Sequence, residues 1–219
     1  MIENRLDYLD TFFAHGVRYM TLTWNNSTDW ATSALDETTQ SNLPHKGLTD
    51  FGKSVIRKMN QLGMLVDLSH VGEQTFWDAL SVTTNPVIAS HSSVYALCPH
   101  RRNLKDDQIR AIGKNGGVIH LNFFAGFLDS TYQDKSTRFT TLHQTEVDSL
   151  IAKGAQADYA RMMIAEKYPE ELKNVRPPLE LLLKHLDYVV RLVGVDHVGL
   201  GSDFDGIEAA PRELNGVED

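Results

Sequence analysis

Two short apolar runs that each end in a histidine constrain this chain more than any other feature. Val66-Asp67-Leu68-Ser69-His70 is followed by Ile88-Ala89-Ser90-His91-Ser92, and a third run from Val198 to Gly206 carries Asp203 and Asp205 near its end. Each run reads as a buried strand. Polar side chains of ligand or acid/base type at the C-terminal tips of successive parallel strands are where a β/α barrel assembles its active site.

The rest of the chain alternates around these runs. Residues 2–15 place Leu6, Leu9, Phe12 and Phe13 on one helical face, with Gly16 as a stop. Residues 17–24 read as a strand, and 25–46, rich in Asn, Ser and Thr, as a loop. Phe51, Val55, Ile56, Met59 and Leu62 mark a helix closed by Gly63, and residues 64–70 the next strand. A helix over 72–82 leads to a strand over 86–91. Leu104, Ile109 and Ile112 mark a helix ending at Gly116-Gly117, followed by a strand over 118–124. Residues 126–178 break the rhythm with a polar stretch and then a helix over about 146–167. The clearest amphipathic helix carries Leu179, Leu182, Leu183, Leu186, Val189, Val190 and Val193, and feeds a strand over 197–204.

Five strands alternating with helices imply a parallel sheet covered by helices. An open doubly wound sheet remains an alternative, but no Gly-rich phosphate loop follows any strand. Polar strand tips favour a barrel. A (β/α)8 barrel usually takes about 250 residues, so the pattern predicts an α/β chain supplying about five β/α units of one. Residues 1–219 read as a single partial barrel domain with an irregular or helical insertion at about 126–178.

Charge narrows the partners. Twenty-one basic against 29 acidic residues give a net charge of -8, which argues against a nucleic-acid surface. The one cysteine, Cys98, cannot form an internal disulfide and lacks a neighbouring acid/base motif. No apolar run approaches the length of a membrane span, and no signal-peptide pattern opens the chain. The compartment stays open.

His70 and His91 occupy equivalent points on neighbouring strands. Strands lie ~4.8 Å apart, so two imidazoles at their tips can reach one metal ion; the bland alternative is a packed or hydrogen-bonded histidine. Asp203 suits a general base, whereas Asp205-Gly206 reads equally well as a turn. Arg101 and Arg102 follow the His91 strand in a loop over the same face, where a guanidinium could clamp a carboxylate. Trp24, Asn25 and Asn26 end the first strand and Asn122 the fourth, without a specific signal. His15, His45, His100, His120, His143, His185 and His197 have no partner at metal-ligand spacing.

The motifs together resemble a known family. Residues 16–25 (Gly-Val-Arg-Tyr-Met-Thr-Leu-Thr-Trp-Asn), Gly47-Leu48-Thr49-Asp50-Phe51-Gly52, the two histidine runs, Arg101-Arg102-Asn103 and Gly201-Ser202-Asp203-Phe204-Asp205-Gly206 are similar to those of the membrane dipeptidase (renal dipeptidase) family of zinc peptidases. The resemblance implies a (β/α)8 barrel with two bridged zinc ions that hydrolyses dipeptides. It makes His70 and His91 ligands of one zinc, Arg102 the partner of the substrate carboxylate, and Asp203 the carrier of the attacking water's proton. Many members have a substrate-binding histidine where this chain has Trp24, so that contact is altered. The family's other ligands are a His-x-Asp pair and a bridging Glu just before a Gly-Gly-His sequence. Ile2-Glu3-Asn4 aligns just after that sequence, so these ligands fall outside the 219 residues. At most one partial metal site is expected, and this segment alone is expected to be inactive. A homodimer is an open option. The competing expectation is a non-catalytic barrel remnant that serves binding or oligomerisation.

Overall fold

In the computed structural model, which describes residues 2–219, the apolar runs form one parallel sheet. Helix α1 (Asp7–Ala14) precedes β1 (Tyr19–Thr21); α2 (Ala34–Thr39) and α3 (Asp50–Leu62) lead to β2 (Leu65–Asp67). Helix α4 (Glu73–Val82) joins it to β3 (Ile88–Ala89), and α5 (Asp106–Asn115) to β4 (Val118–Leu121). Five helices follow: α6 (Ala125–Leu128), α7 (Tyr132–Leu142), α8 (Gln144–Ala152), α9 (Ala157–Lys167) and α10 (Pro169–Val175). Then α11 (Leu179–Val193) and a single 3-10 turn deliver the chain to β5 (Val198–Leu200).

The strands lie in chain order, β1-β2-β3-β4-β5, and every pairing is parallel. Registers such as Thr21↔Asp67, Asp67↔Ile88, Ala89↔Ile119 and Leu121↔Leu200 bring the C-terminal tips to one rim. A doubly wound sheet reverses its direction of growth at a switch point; this sheet never does. Growth in one direction is how a barrel wall forms, and the chain supplies five β/α units of such a wall.

Side-chain spacing explains why the helices form and where they lie. Val55, Ile56 and Met59 of α3, Ile109 and Ile112 of α5, and Leu182 and Val189 of α11 are fully or nearly fully buried. They share one apolar cluster with Met20, Val66, Leu68, Ala89, Ile119 and Leu121 of the sheet and its tips. The Thr49 hydroxyl caps α3 by accepting from the Gly52 N–H at 3.3 Å. Gly63 ends that helix at φ 74°, a left-handed conformation that glycine adopts without strain.

Several boundaries differ from the sequence pattern. Helix α1 begins at Asp7 rather than residue 2, and α2 forms inside the stretch read as a loop. The strands are two to four residues long, shorter than the apolar runs, because the last residues of each run leave the ladder and curve over the rim. The single helix expected over 146–167 is broken at Gly154, where φ is +97°, into α8 and α9. The polar stretch before it is also helical, as α7. Among the described residues, no helix is long and apolar enough to cross a membrane.

Candidate active site

The residues that leave the strand ladders build the site. His70 lies three residues beyond β2, with φ +68°. Left-handed backbone is uncommon outside glycine and costs energy that the surrounding structure must offset. Among the described non-glycine residues only Glu3, Asn4, His70 and Asp203 adopt it, and all four line one open cavity of about 1020 Å³. His91, Arg102, Trp24 and His100 line the same cavity.

His70 and His91 face each other edge-on, with ring centres 4.9 Å apart. The His70 Nδ1 lies 3.2 Å from the Asn25 Oδ1, which can only accept, so Nδ1 carries the proton. The His91 Nδ1 lies 2.7 Å from the Ser90 hydroxyl. Burial, then the Arg102 charge and the neighbouring ring, push the His70 pKa down to about 3. Burial and Arg102 also depress His91, against the opposing pull of Asp203 and Asp67. Both rings are therefore neutral near pH 7, with Nε2 free of any protein partner among the described residues. That is the donor set for a borderline-soft cation such as zinc. It is incomplete, since no group of three or more His, Cys, Asp or Glu stands ready for one ion among the described residues.

The two arginines separate. Arg101 is exposed, whereas Arg102 is 8% exposed. Burial lowers the Arg102 pKa to about 10, with Asp67 and Asp203 pulling the other way, so the group keeps its charge at neutral pH. Its Nη2 donates to the His91 carbonyl at 3.4 Å, and its guanidinium lies 5.4 Å from the Phe127 ring centre. Among the described residues it forms no ion pair. A buried cation without a carboxylate partner at contact is costly to hold, and here it borders a cavity.

Asp203 is half-buried three residues beyond β5, and the buried Asn122 amide donates to its Oδ2 at 3.1 Å. Asp205 is exposed and does not line the cavity. Because β5 stops at Leu200, strand alternation does not carry the two aspartates to one side. Trp24 stands at the cavity mouth, 67% exposed.

Three contributors had no role assigned from the sequence, although Asn103 and Gly201 fall inside the family-like motifs. His100 packs on Phe127, with ring centres 4.6 Å apart, and accepts from the Arg102 N–H at 3.2 Å; burial brings its pKa down to about 4. Asn103 pins the arginine loop by accepting from the Ser93 N–H and donating to the Cys98 and Phe127 carbonyls. Gly201 admits the Ser90 carbonyl, which would lie 2.0 Å from any Cβ there. Such close approach is a positional demand that a lone glycine in a strand pattern only hints at.

A family model described as Membrane dipeptidase (Peptidase family M19) matches residues 1–219. The chain belongs to this family. An uncharacterized dipeptidase of Schizosaccharomyces pombe is 35% identical over 216 residues, 99% of this chain and 42% of that relative. A Klebsiella pneumoniae protein encoded in the pqqA 5' region is 34% identical over 209 residues, 95% of this chain and 62% of that relative. A metallo peptidase of Rhodobacter sphaeroides, solved with a phosphinate mimic of the dipeptide L-Ala-D-Ala, superposes with a TM-score of 0.69 and 27% identity. That match covers 96% of this chain and 49% of the other. The probable dipeptidase PvdM of Pseudomonas aeruginosa superposes at 0.70 with 25% identity, over 96% and 56% of the two chains. The M19 chain thus spans about half the length of the relatives it matches. Its five-stranded parallel sheet is part of the TIM-type barrel of M19 dipeptidases.

Proposed function

We propose that the protein is a zinc-dependent dipeptidase, and that residues 1–219 contribute two histidine ligands of one metal, the proton carrier and the carboxylate clamp. The observation that carries this reading is the meeting of two neutral imidazoles, a half-buried carboxylate and a buried cation without an ion-pair partner on one cavity wall. A non-catalytic module gives no reason to hold such a cation there.

His70 and His91 would bind through Nε2. Zinc, when bound, supplies Lewis-acid polarisation and lowers the pKa of water towards ~7. Arg102 pairs its fork with the free carboxylate of a dipeptide, which places the scissile bond at a fixed distance from that end and disfavours longer chains. Asp203 takes the proton of the attacking water on its carboxylate and returns it to the leaving amine, while Asn122 fixes the orientation of that carboxylate. Trp24 covers the mouth and meets the substrate in place of the histidine of many relatives. Residues 126–178 are an insertion in a single barrel domain.

Two imidazoles are one protein ligand short of an ordinary catalytic zinc site. Residues 1–219 alone are therefore inactive, and the missing ligands come from elsewhere in the protein. The test is metal analysis beside kinetics in the intact enzyme. His70→Ala and His91→Ala should each remove metal from one site and nearly all dipeptide hydrolysis. Full metal content and full turnover in either variant would defeat the proposal.

A further inference from the structure

Asp67 is the last residue of β2. It is fully buried in β2, faces no solvent, and has no role in the reaction as read above. Four donors converge on it. Its Oδ1 accepts from the backbone N–H groups of Ser69 and Ser90 at 3.0 and 2.9 Å. Its Oδ2 accepts from the hydroxyls of Thr21 and Ser90 at 2.5 and 2.6 Å. Backbone N–H groups cannot accept, so Oδ1 is an acceptor by necessity.

The same Ser90 hydroxyl touches the His91 Nδ1 at 2.7 Å. A hydroxyl has a single proton. If Ser90 gives it to Asp67, the ring nitrogen must donate to the Ser90 oxygen. Nδ1 is then protonated, and Nε2 keeps its lone pair for a metal. We infer that Asp67, acting through Ser90, is a positioning residue that fixes His91 in the Nδ1–H tautomer and so presets it as a metal ligand. This rests on the metal-binding reading of His91 given above. Metal-bound histidines commonly owe tautomer and orientation to a carboxylate on the other ring nitrogen; here the contact runs through one hydroxyl and spans the β2–β3 pair.

The direction of the relay can be reversed. Oδ1 sits between two backbone N–H groups, so Asp67→Asn must place its carbonyl there and its NH2 toward Ser90. The amide then donates to the Ser90 oxygen, Ser90 donates to Nδ1, and the His91 proton moves to Nε2. Ser90→Ala removes the relay but keeps the Asp67 charge, which also acts on Arg102. That variant separates the relay from the field.

Long-range 1H–15N spectra of the intact metal-free protein report each imidazole tautomer directly, and competition with a zinc chelator reports affinity. The parent should show His91 protonated on Nδ1. Asp67→Asn should show it on Nε2 and bind zinc about 10–100-fold more weakly. Ser90→Ala should give a mixture and an intermediate loss. A folded variant of either kind that keeps His91 on Nδ1, or a parent with His91 on Nε2, overturns the inference; the parent spectrum decides even if a variant fails to fold. If the tautomers behave as described but His91→Ala keeps its full metal content, the metal reading fails and the relay stands.

Discussion

Two histidines in this molecule are tied to carboxylates, and they are built in opposite ways. His91 reaches the fully buried Asp67 through Ser90, in a network that joins the tips of β1, β2 and β3. His143, in the helical segment, donates through Nε2 at 2.9 Å to the carboxylate of Glu171, whose side chain is 46% exposed, and stacks on Tyr168 with ring centres 4.0 Å apart. The second cluster closes a small apolar group of Val147, Ala160 and Ile164. The first opens onto the cavity. A histidine beside a carboxylate is therefore not a site by itself; what distinguishes His91 is a metal-competent nitrogen facing open space next to Arg102 and Asp203.

The largest expected effect lies on the cavity side. Asp203→Asn in the intact enzyme should lower kcat by about 10²–10⁴-fold, the range of general acid–base catalysis, with zinc content nearly unchanged. His143→Ala should leave kcat and KM close to the parent. Equal losses in the two variants would erase the distinction between the clusters.

Arg102→Ala comes next. Losing a buried charge-assisted pair costs on the order of 2–5 kcal/mol, read as a strongly raised KM for free dipeptides. A C-terminally amidated dipeptide should be a poor substrate for the parent and suffer little further from the mutation. Arg102→Lys should rescue only partly, since it keeps charge without the fork. Equal losses on acid and amide would make Arg102 a support of the fold.

Acid should act through a third histidine. His185 of α11 is 1% exposed, accepts from the Val94 N–H through Nδ1 at 3.0 Å, and has its pKa pushed down by burial to about 4. Its unfolded value is near 6.5. Between those values the unfolded chain binds a proton that the folded chain refuses, so stability falls as pH drops from about 6.5 to about 4 and is flat for this group above 6.5. The loss is on the order of 3 kcal/mol. His185→Gln should lessen the slope in denaturant titrations across that window, the remainder coming from His70 and His100, which burial depresses in the same direction; an unchanged slope would remove His185 as a contributor.

The smallest effect belongs to the helical segment. His143→Ala should cost about 1–2 kcal/mol and should appear first as faster hydrogen exchange in α8 and α9, with β2 and β3 amides unaffected. Loss of protection throughout would show that the segment and the barrel wall open together.

The same contrast explains what could be read in advance. Helices α3, α4, α5 and α11 follow from apolar spacing, and Gly63 and Gly116 mark two of their ends at positive φ. His70, His91, Arg102 and Asp203 could be named because each follows an apolar run or lies in the loop after one. Helix α7 could not, since it buries only Tyr132 and shows no apolar stripe. The role of Asp67 was hidden for a different reason. An acid inside an apolar run carries no periodic signal, and only the register Asp67↔Ile88 brings it to Ser90. Asn122, His100 and Gly201 likewise act through contacts across strands or loops that spacing along one strand cannot show.

In the proposed site His70 and His91 serve one metal ion. Zinc stoichiometry of the intact protein, the two single alanine variants and the double variant tests it most directly. Each single variant should lose one equivalent, and the double variant should lose no more than either. Losses that add to two equivalents would place the histidines on different ions, and unchanged stoichiometry would remove both from the metal site.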